Sequence, residues 1–301
     1  MQERGGEVMV TILDGGVGQE LLRRSGARPD GLWATGLMLN HPGVLRDVHA
    51  SFFAAGAQIA TANTYAIHRD RLRRAGIEDR LAELQLMAIE IARDARDAHG
   101  SGLVAGAIGP LGWSYRPDMA PEAETAVPLF AEIAALQAPH VDLLLLETMA
   151  SVHDVQCALD ATLPLGKPVW LAVTVLDDDG TRLRSGEPLA DLLPVLADRT
   201  PQALLVNCAP PEMVGAALQV LARTGLPLGA YANGFVRVEP SYLDVFSSVD
   251  GLSTRQDLSP ERYAAYAAAW AAQGATILGG CCEVGPAHIA ELVRTMNAKA
   301  A

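Results

Sequence analysis

Eight short apolar runs, rich in Val, Ile, Leu and Ala, recur along the chain and are separated by longer segments of mixed polarity. Polar and apolar positions do not alternate within the runs, which is typical of strands that are buried on both faces of a parallel sheet. The runs cover residues 8–13, 57–62, 103–108, 141–146, 169–175, 203–206, 226–232 and 275–278. This pattern predicts eight parallel strands.

The segments between the runs have the apolar spacing and the end signals of helices. Residues 78–99 place Leu84, Ala88 and Ile91 on one stripe, as an amphipathic helix requires. The Ser-Pro-Glu sequence at 259–261 predicts a helix start, because a hydroxyl N-cap is followed by proline and by an acid near the positive end of the helix dipole.

The alternation of strands and helices predicts the fold. Eight strand–helix units within about 290 residues are typical of a closed barrel. We therefore predict an α/β protein with a single (β/α)8 TIM barrel domain over residues 1–301. A doubly wound open sheet is the alternative. Its dinucleotide-binding version is disfavoured because no G-x-G-x-x-G motif follows the first predicted strand.

Composition and charge limit the partners and the compartment. The 301 residues are half hydrophobic and carry a formal net charge of −12. An acidic surface does not attract nucleic acid or an anionic membrane, so we expect neither as a partner. Four cysteines are too few for a disulfide framework in a chain of this length. No signal peptide or membrane-length apolar run is evident, so we expect a cytoplasmic protein.

Polar residues, glycines and cysteines close most of the predicted strands. The chemistry of a barrel lies at the carboxyl ends of its strands, so these residues are expected to meet on one rim. In chain order they are Asp14, Gly15, Gly16, Asn63, Thr64, Tyr65, Gly109, Glu147, Thr148, Thr174, Asn207, Cys208, Asn233, Gly234, Gly279, Gly280, Cys281 and Cys282.

Three of the four cysteines, Cys208, Cys281 and Cys282, fall on the predicted rim. Three thiolates around one point suit Zn²⁺, and they leave a fourth position open, as in catalytic zinc sites. Such a centre carries a net charge of about −1 and is suited to holding a substrate thiol as a nucleophilic thiolate. The alternatives are cysteines that pack as small hydrophobes, which is our interpretation of Cys157, and a strained vicinal disulfide at 281–282.

Motifs that span nearly the whole chain resemble those of the homocysteine S-methyltransferase family, the zinc-dependent (β/α)8 thiol methyltransferases. They are LDGGVGQELLRRSG at 13–26, ANTYAIHRDRL at 62–72, GPLG at 109–112, LLETM at 145–149, VNCAP at 206–210 and GATILGGCCEVGPAHI at 274–289. The distant NC and GGCC motifs together are the most specific. Two departures bear on the donor and acceptor rather than on the metal: Gln19 stands where relatives often have Thr, and Ala232 where many have Pro.

The resemblance implies roles for particular residues. Zinc would be held by Cys208, Cys281 and Cys282, and the amino group of the substrate by Asp14 and Glu147. An ammonium that enters a partly dry pocket needs carboxylate partners, which agrees with that role. The alternative for Asp14 is an acid that serves only a turn or a helix cap.

Further substrate-binding candidates come from the same predicted rim. They are Gly15, Thr64 and Asn233. The loop at 110–121 is long enough to cover the rim, so it is either a lid over the substrate or a packed surface loop.

The resemblance implies an enzyme. We expect a zinc-dependent methyltransferase that moves a methyl group from a sulfonium donor, S-methylmethionine or S-adenosylmethionine, to the thiol of homocysteine and so produces methionine. Its partners would be a small-molecule thiol and a methyl donor. The alternatives are a betaine donor, selenohomocysteine or another thiol as acceptor, and a barrel that binds zinc without catalysis. The pattern does not predict the oligomeric state.

Overall fold

The structure, a computed structural model, describes residues 10–27, 32–238 and 252–300 of the chain. Eight parallel strands form one sheet in the order β1-β8-β7-β6-β5-β4-β3-β2. The strands are β1 Thr11–Ile12, β2 Ile59–Thr61, β3 Leu103–Ile108, β4 Leu143–Met149, β5 Val169–Val173, β6 Ala203–Asn207, β7 Leu228–Tyr231 and β8 Ala275–Leu278. Each overlaps one predicted run, and residues 8 and 9 of the first run lie outside the described residues.

The sheet closes on itself through its first strand. On one side β1 pairs with β8, with Thr11 opposite Ile277. On the other side Leu13 forms a parallel bridge with Ile59 of β2, and the Asp14 amide donates to the Ile59 carbonyl at 3.1 Å. The (β/α)8 barrel predicted from the alternation of elements is therefore confirmed, and an open doubly wound sheet is excluded.

Helices connect successive strands. They are α1 Val17–Ser25, α2 Ala34–Asn40, α3 Pro42–Ala54, α4 Arg69–Arg74, α5 Leu81–His99, α6 Ala123–Gln137, α7 Val152–Thr162, α8 Leu192–Asp198, α9 Pro211–Leu221, α10 Pro260–Ala272 and α11 Pro286–Ala300. Among the described residues, none of these helices combines the length and the apolar character needed to span a membrane.

Two helices allow the predicted helix start and buried positions to be compared with the observed ones. Helix α10 begins as predicted, because the Ser259 hydroxyl accepts a hydrogen bond from the Arg262 amide at 3.3 Å and Pro260 occupies the first position. The segment 78–99 starts with a short 3-10 turn before α5. Ile91, predicted to face the core, packs against it and is half-buried, and Ile89 on the same helix is buried as well.

The hydrophobic core has two layers, as a packed barrel requires. The inner layer fills the barrel with side chains that point to its axis, among them Leu13, Ile59, Leu145, Leu205 and Ile277. The outer layer lies between the strands and the surrounding helices. The polar loops at the carboxyl ends of the strands lie above the inner layer, so its packing supports the site.

The end of β4 differs from the prediction. The strand continues to Met149 instead of stopping at residue 146, and its register with β5 shifts between Leu146 and Met149. Thr148 adopts a left-handed backbone conformation, with φ of 60°. Its amide donates to the Asn207 side-chain oxygen at 3.0 Å, which supplies the hydrogen bond that the irregular ladder lacks. Glu147 therefore lies within the strand, beside an irregularity of a kind common next to active sites.

Candidate active site

A cavity opens at the carboxyl ends of the strands, and we call it the rim cavity. Its wall is formed by the loops that follow β1, β2, β3, β6 and β8, together with the ends of β4 and β7. This is where a barrel places its chemistry. The titratable and aromatic residues that line it are Asp14, Trp33, Tyr65, Arg71, Trp113, Tyr115, Glu147, Cys208, Tyr231, Cys281 and Cys282.

The three predicted metal ligands come together in the rim cavity. The sulfur atoms of Cys208, Cys281 and Cys282 all lie within 4.8 Å of one another. Those of Cys208 and Cys282 are 3.8 Å apart. Ligand atoms at about 2.3 Å from a tetrahedral zinc ion lie about 3.8 Å from one another, so this cluster fits that ion. It is the one such group of potential metal ligands in the described part of the chain.

Close packing of two loops holds two of these cysteines. The Gly280 amide donates to the Asp14 carbonyl and the Gly16 amide donates to the Val284 carbonyl, both at 2.9 Å. A Cβ atom on Gly16 would lie 2.7 Å from the Cys281 carbonyl oxygen, which is closer than real Cβ atoms come. The glycines of the DGG motif therefore let the loop after β8 lie directly against the loop after β1.

Cys208 reaches the cluster from β6. The residue has a left-handed backbone conformation with φ of 49°, which is unusual for a residue with a side chain. Its side chain is 4% exposed, so this thiol is the most enclosed of the three. Hydrogen bonds from the Cys281 and Cys282 thiols hold the pKa of Cys208 well below its usual range. The cluster thus favours a thiolate at Cys208.

A tyrosine from the loop at 110–121 and an arginine that the sequence did not single out complete the surroundings of the cluster. The Tyr115 hydroxyl lies 2.8 Å from the Cys208 sulfur. The guanidinium of Arg184 lies 4.9 Å from the centre of the Tyr115 ring, and Asp177 forms an ion pair with Arg184. No local motif marks these residues, because the loops after β3 and β5 meet only in the folded barrel.

The loop at 110–121 forms part of the cavity wall. Trp113, Ser114 and Tyr115 all line the rim cavity. The Ser114 hydroxyl is 2.8 Å from that of Tyr65, which ties the loop to the end of β2. The loop is therefore packed against the site. A role as a lid over the substrate, which the sequence analysis gave as one alternative, stays a prediction.

The predicted ammonium-binding acids, Asp14 and Glu147, also line the rim cavity. Asp14 is buried and accepts hydrogen bonds from the Thr61 amide and hydroxyl, both at 2.7 Å. Burial raises the pKa of Asp14 to about 7 and the pKa of Glu147 to about 8. The charge of Asp14 adds to the rise in the pKa of Glu147, because like charges disfavour ionisation. Two buried acids without a cation are a suitable receptor for an ammonium group.

The other substrate-binding candidates lie in different places. Gly15 lines the rim cavity, and a Cβ atom there would lie 2.1 Å from the Val284 carbonyl oxygen. Thr64 and Asn233 are buried outside the cavity wall. The Thr64 hydroxyl donates to the Ala107 carbonyl at 2.8 Å, and the Asn233 side-chain oxygen accepts from the Phe235 amide at 3.2 Å. These contacts support the ends of β2 and β7, and contact of either residue with substrate stays a prediction.

The fourth cysteine has the structural role expected for it. Cys157 is buried in α7, with 2% of its surface exposed, and packs in the outer core layer. It takes no part in the thiol cluster.

A family model and individual relatives point to the same protein family. Residues 11–296 match the family model described as homocysteine S-methyltransferase. The chain is 29% identical to the homocysteine S-methyltransferase of Escherichia coli K12, and the match covers 94% of each chain. It is 25% identical to a selenocysteine methyltransferase of Astragalus bisulcatus, over 95% of this chain and 92% of the relative.

Solved structures agree with this result. The metallated form of the homocysteine methyltransferase MmuM from Escherichia coli superposes with a TM-score of 0.80 at 28% identity, over 95% of this chain and 96% of that one. The apo form of the same protein gives a TM-score of 0.71.

The raised pKa of Glu147 generates a stability prediction. The pKa of Glu147 is about 8 in the folded state and 4.5 as the ordinary value. Between pH 4.5 and pH 8 the folded protein therefore keeps a proton on Glu147 that the unfolded protein has lost. The free energy of unfolding should therefore fall as pH rises through this window. We expect Glu147→Gln to stabilise the protein by about 1–3 kcal/mol at pH 8 and by much less at pH 4.5. Urea unfolding at both pH values measures this difference.

A matched control for this prediction is Glu90→Gln on the exposed face of α5. We expect no comparable gain from it at either pH. A Glu147→Gln protein that is no more stable than the wild type at pH 8 would contradict the assignment of a buried carboxyl group with a raised pKa.

Proposed function

The chain belongs to the homocysteine S-methyltransferase family, and on that premise we propose that it transfers a methyl group from a sulfonium donor to the thiol of homocysteine, giving methionine. One observation carries the proposal. The rim cavity unites a three-thiol cluster that fits Zn²⁺ with two buried acids that suit an ammonium. A sulfur-containing amino acid is the class of substrate that needs both.

The thiol cluster is the proposed zinc site. Cys208, Cys281 and Cys282 would hold the ion, and the side facing the rim cavity would remain for the substrate sulfur. A Zn²⁺ ion held there would lower the pKa of a coordinating thiol and so would favour its thiolate form at neutral pH. Tyr115 and Arg184 would offset part of the negative charge that three thiolates bring to this position.

The reaction is an in-line displacement. A lone pair on the homocysteine sulfur forms a bond to the donor methyl carbon, while the bond from that carbon to the donor sulfonium breaks and its electron pair leaves with the donor sulfur. The thiol proton is released to water before or during binding. The contribution of the chain is proximity and alignment, because Asp14 and Glu147 would fix the amino end of the acceptor while the cysteines would hold the ion that positions its sulfur.

A sulfonium donor suits this site for two reasons. It carries its own leaving group, so the transfer needs no further cofactor. Its positive charge is also favoured near the buried carboxylates and a negatively charged thiolate cluster. S-Methylmethionine and S-adenosylmethionine are the two donors of this class that we propose, and betaine is the alternative.

The acceptor has one specific alternative. Two relatives act on selenium by name, the selenocysteine methyltransferases of Astragalus bisulcatus and Brassica oleracea, at 25% and 24% identity. A selenol bonds zinc much as a thiol does, so selenohomocysteine is a second candidate acceptor. A barrel that binds zinc without catalysis is disfavoured by the acids that share the cavity with the cluster.

The metal assignment is tested by removing one ligand. We expect Cys208→Ser to lose the zinc that the wild type retains after dialysis, about one ion per chain, and to lose methionine formation. Cys157→Ser is the matched control, since this cysteine lies outside the cluster, and it should keep both. Retention of zinc and activity by Cys208→Ser would reject the site.

The ammonium role of the acids is tested with a truncated acceptor. We expect Glu147→Gln to lower kcat/KM for homocysteine by about 10–100-fold, because a charge-assisted hydrogen bond is lost in a dry cavity. With 4-mercaptobutanoate, which is homocysteine without its amino group, the same substitution should have little effect. An equal loss of kcat/KM with both acceptors would show that Glu147 does not bind the amino group.

The donor is identified by a direct assay. Methionine formation from homocysteine is measured with S-methylmethionine, S-adenosylmethionine, betaine and methyltetrahydrofolate, with and without a zinc chelator. We expect turnover with a sulfonium and loss of it with the chelator. Turnover with betaine alone would reject a sulfonium donor in favour of betaine. No turnover with any of the four donors would reject methyl transfer to homocysteine.

A further inference from the structure

One arginine in the rim cavity has no carboxylate partner among the residues that the structure describes. Arg71 on α4 lines the cavity and is half-buried. Every other arginine in the part of the chain that the structure describes is either exposed or ion-paired with an acid. Burying a cation without a counter-charge is costly, so this arrangement points to an anion that is supplied from outside the chain.

The Arg71 guanidinium is held in place by its neighbours without being neutralised by them. It lies 5.7 Å from the centre of the Tyr65 ring and 5.4 Å from that of Trp113. One terminal nitrogen donates to the Pro110 carbonyl at 3.2 Å, and Nε is buried with no hydrogen-bond partner among the described residues. A guanidinium fixed in the cavity wall, with its charge not neutralised by an acid among the described residues, is placed to bind an anion.

The charges of the cavity form a complementary set. Asp14 and Glu147 offer negative charge for an ammonium, and Arg71 is the one cationic side chain among the residues that line the cavity. An amino acid carries one ammonium and one carboxylate, and both must lose water on entering this enclosed space. An acid pair alone would leave the carboxylate without a partner and would repel it.

We propose that Arg71 binds the α-carboxylate of an amino-acid ligand in the rim cavity and so selects amino acids over simple thiols or sulfonium ions. The proposal rests on the function proposed above and adds the recognition of the carboxylate to it. Homocysteine and a sulfonium donor such as S-methylmethionine both carry this group. The experiment therefore has one arm for each.

The test compares ligands that differ only in the carboxylate. In the acceptor arm, homocysteine is compared with 3-aminopropane-1-thiol, and in the donor arm, S-methylmethionine is compared with (3-aminopropyl)dimethylsulfonium. The zinc-loaded wild type should prefer the carboxylate-bearing ligand in kcat/KM. We expect Arg71→Met to reduce that preference by about 10–100-fold in the arm whose ligand Arg71 binds, mainly through KM, and to leave the other arm unchanged.

Two further variants separate recognition from structure. Arg74→Met removes a neighbouring cation that lies 5.7 Å from the same Trp113 ring but does not line the cavity, and it should keep both preferences. Arg71→Lys keeps the charge without the planar fork and should recover part of the lost preference. If Arg71→Met does not fold, Arg71→Lys becomes the test variant, and a smaller loss of preference is expected from it.

A direct binding measurement separates carboxylate recognition by Arg71 from the proposed methyl transfer. Calorimetry with the zinc-loaded protein measures homocysteine and 3-aminopropane-1-thiol without turnover. Binding that favours the carboxylate and depends on Arg71, in a protein that transfers no methyl group, would keep the Arg71 assignment and reject the reaction. Preferences that are the same in Arg71→Met as in the wild type, in both arms, would overturn the assignment, as would a wild type that binds neither amino acid.

Discussion

The site depends on the contact between the loop after β1 and the loop after β8. A closed barrel makes its first and last strands neighbours, and here the two loops pack backbone against backbone through Gly16 and Gly280. This contact brings an acid from one end of the chain to two cysteines from the other end. A side chain at Gly16 would clash with the Cys281 carbonyl and force the loops apart, and the acid and the thiols would then no longer face one cavity.

The electrostatics of the rim cavity work against the stability of the protein and in favour of binding. Asp14 and Glu147 are buried together, and burial raises the pKa of each toward neutrality. Arg71 is half-buried without a carboxylate partner among the described residues. Each group would gain from a ligand of opposite charge, so the cost of burying them is recovered when a zwitterion enters. Hydrophobic packing inside the barrel and around it supports this arrangement.

Some parts of the structure were predictable and others were not. The eight apolar runs located all eight strands, since strands buried on both faces leave a continuous apolar signal. The end of β4 was misplaced, because a bulge stabilised by the Asn207 side chain has no local signature. The Thr64 hydroxyl donates to the Ala107 carbonyl, a partner on another strand that no local pattern indicates. Position after a strand shows which rim a residue is near, but not which way its side chain points.

By itself, the sequence determined the barrel and the identity of the thiol cluster. Hydrophobic periodicity is a local property of the chain, and the NC and GGCC motifs are distinctive residue types at the ends of strands that a barrel must bring to one rim. Only the tertiary structure decided the charge environment of that cluster. The placement of Tyr115 on the Cys208 sulfur, of Arg184 on the Tyr115 ring and of Arg71 in the cavity wall arises from segments far apart in the chain. Burial and charge pairing are properties of the packed molecule, so no sequence window contains them.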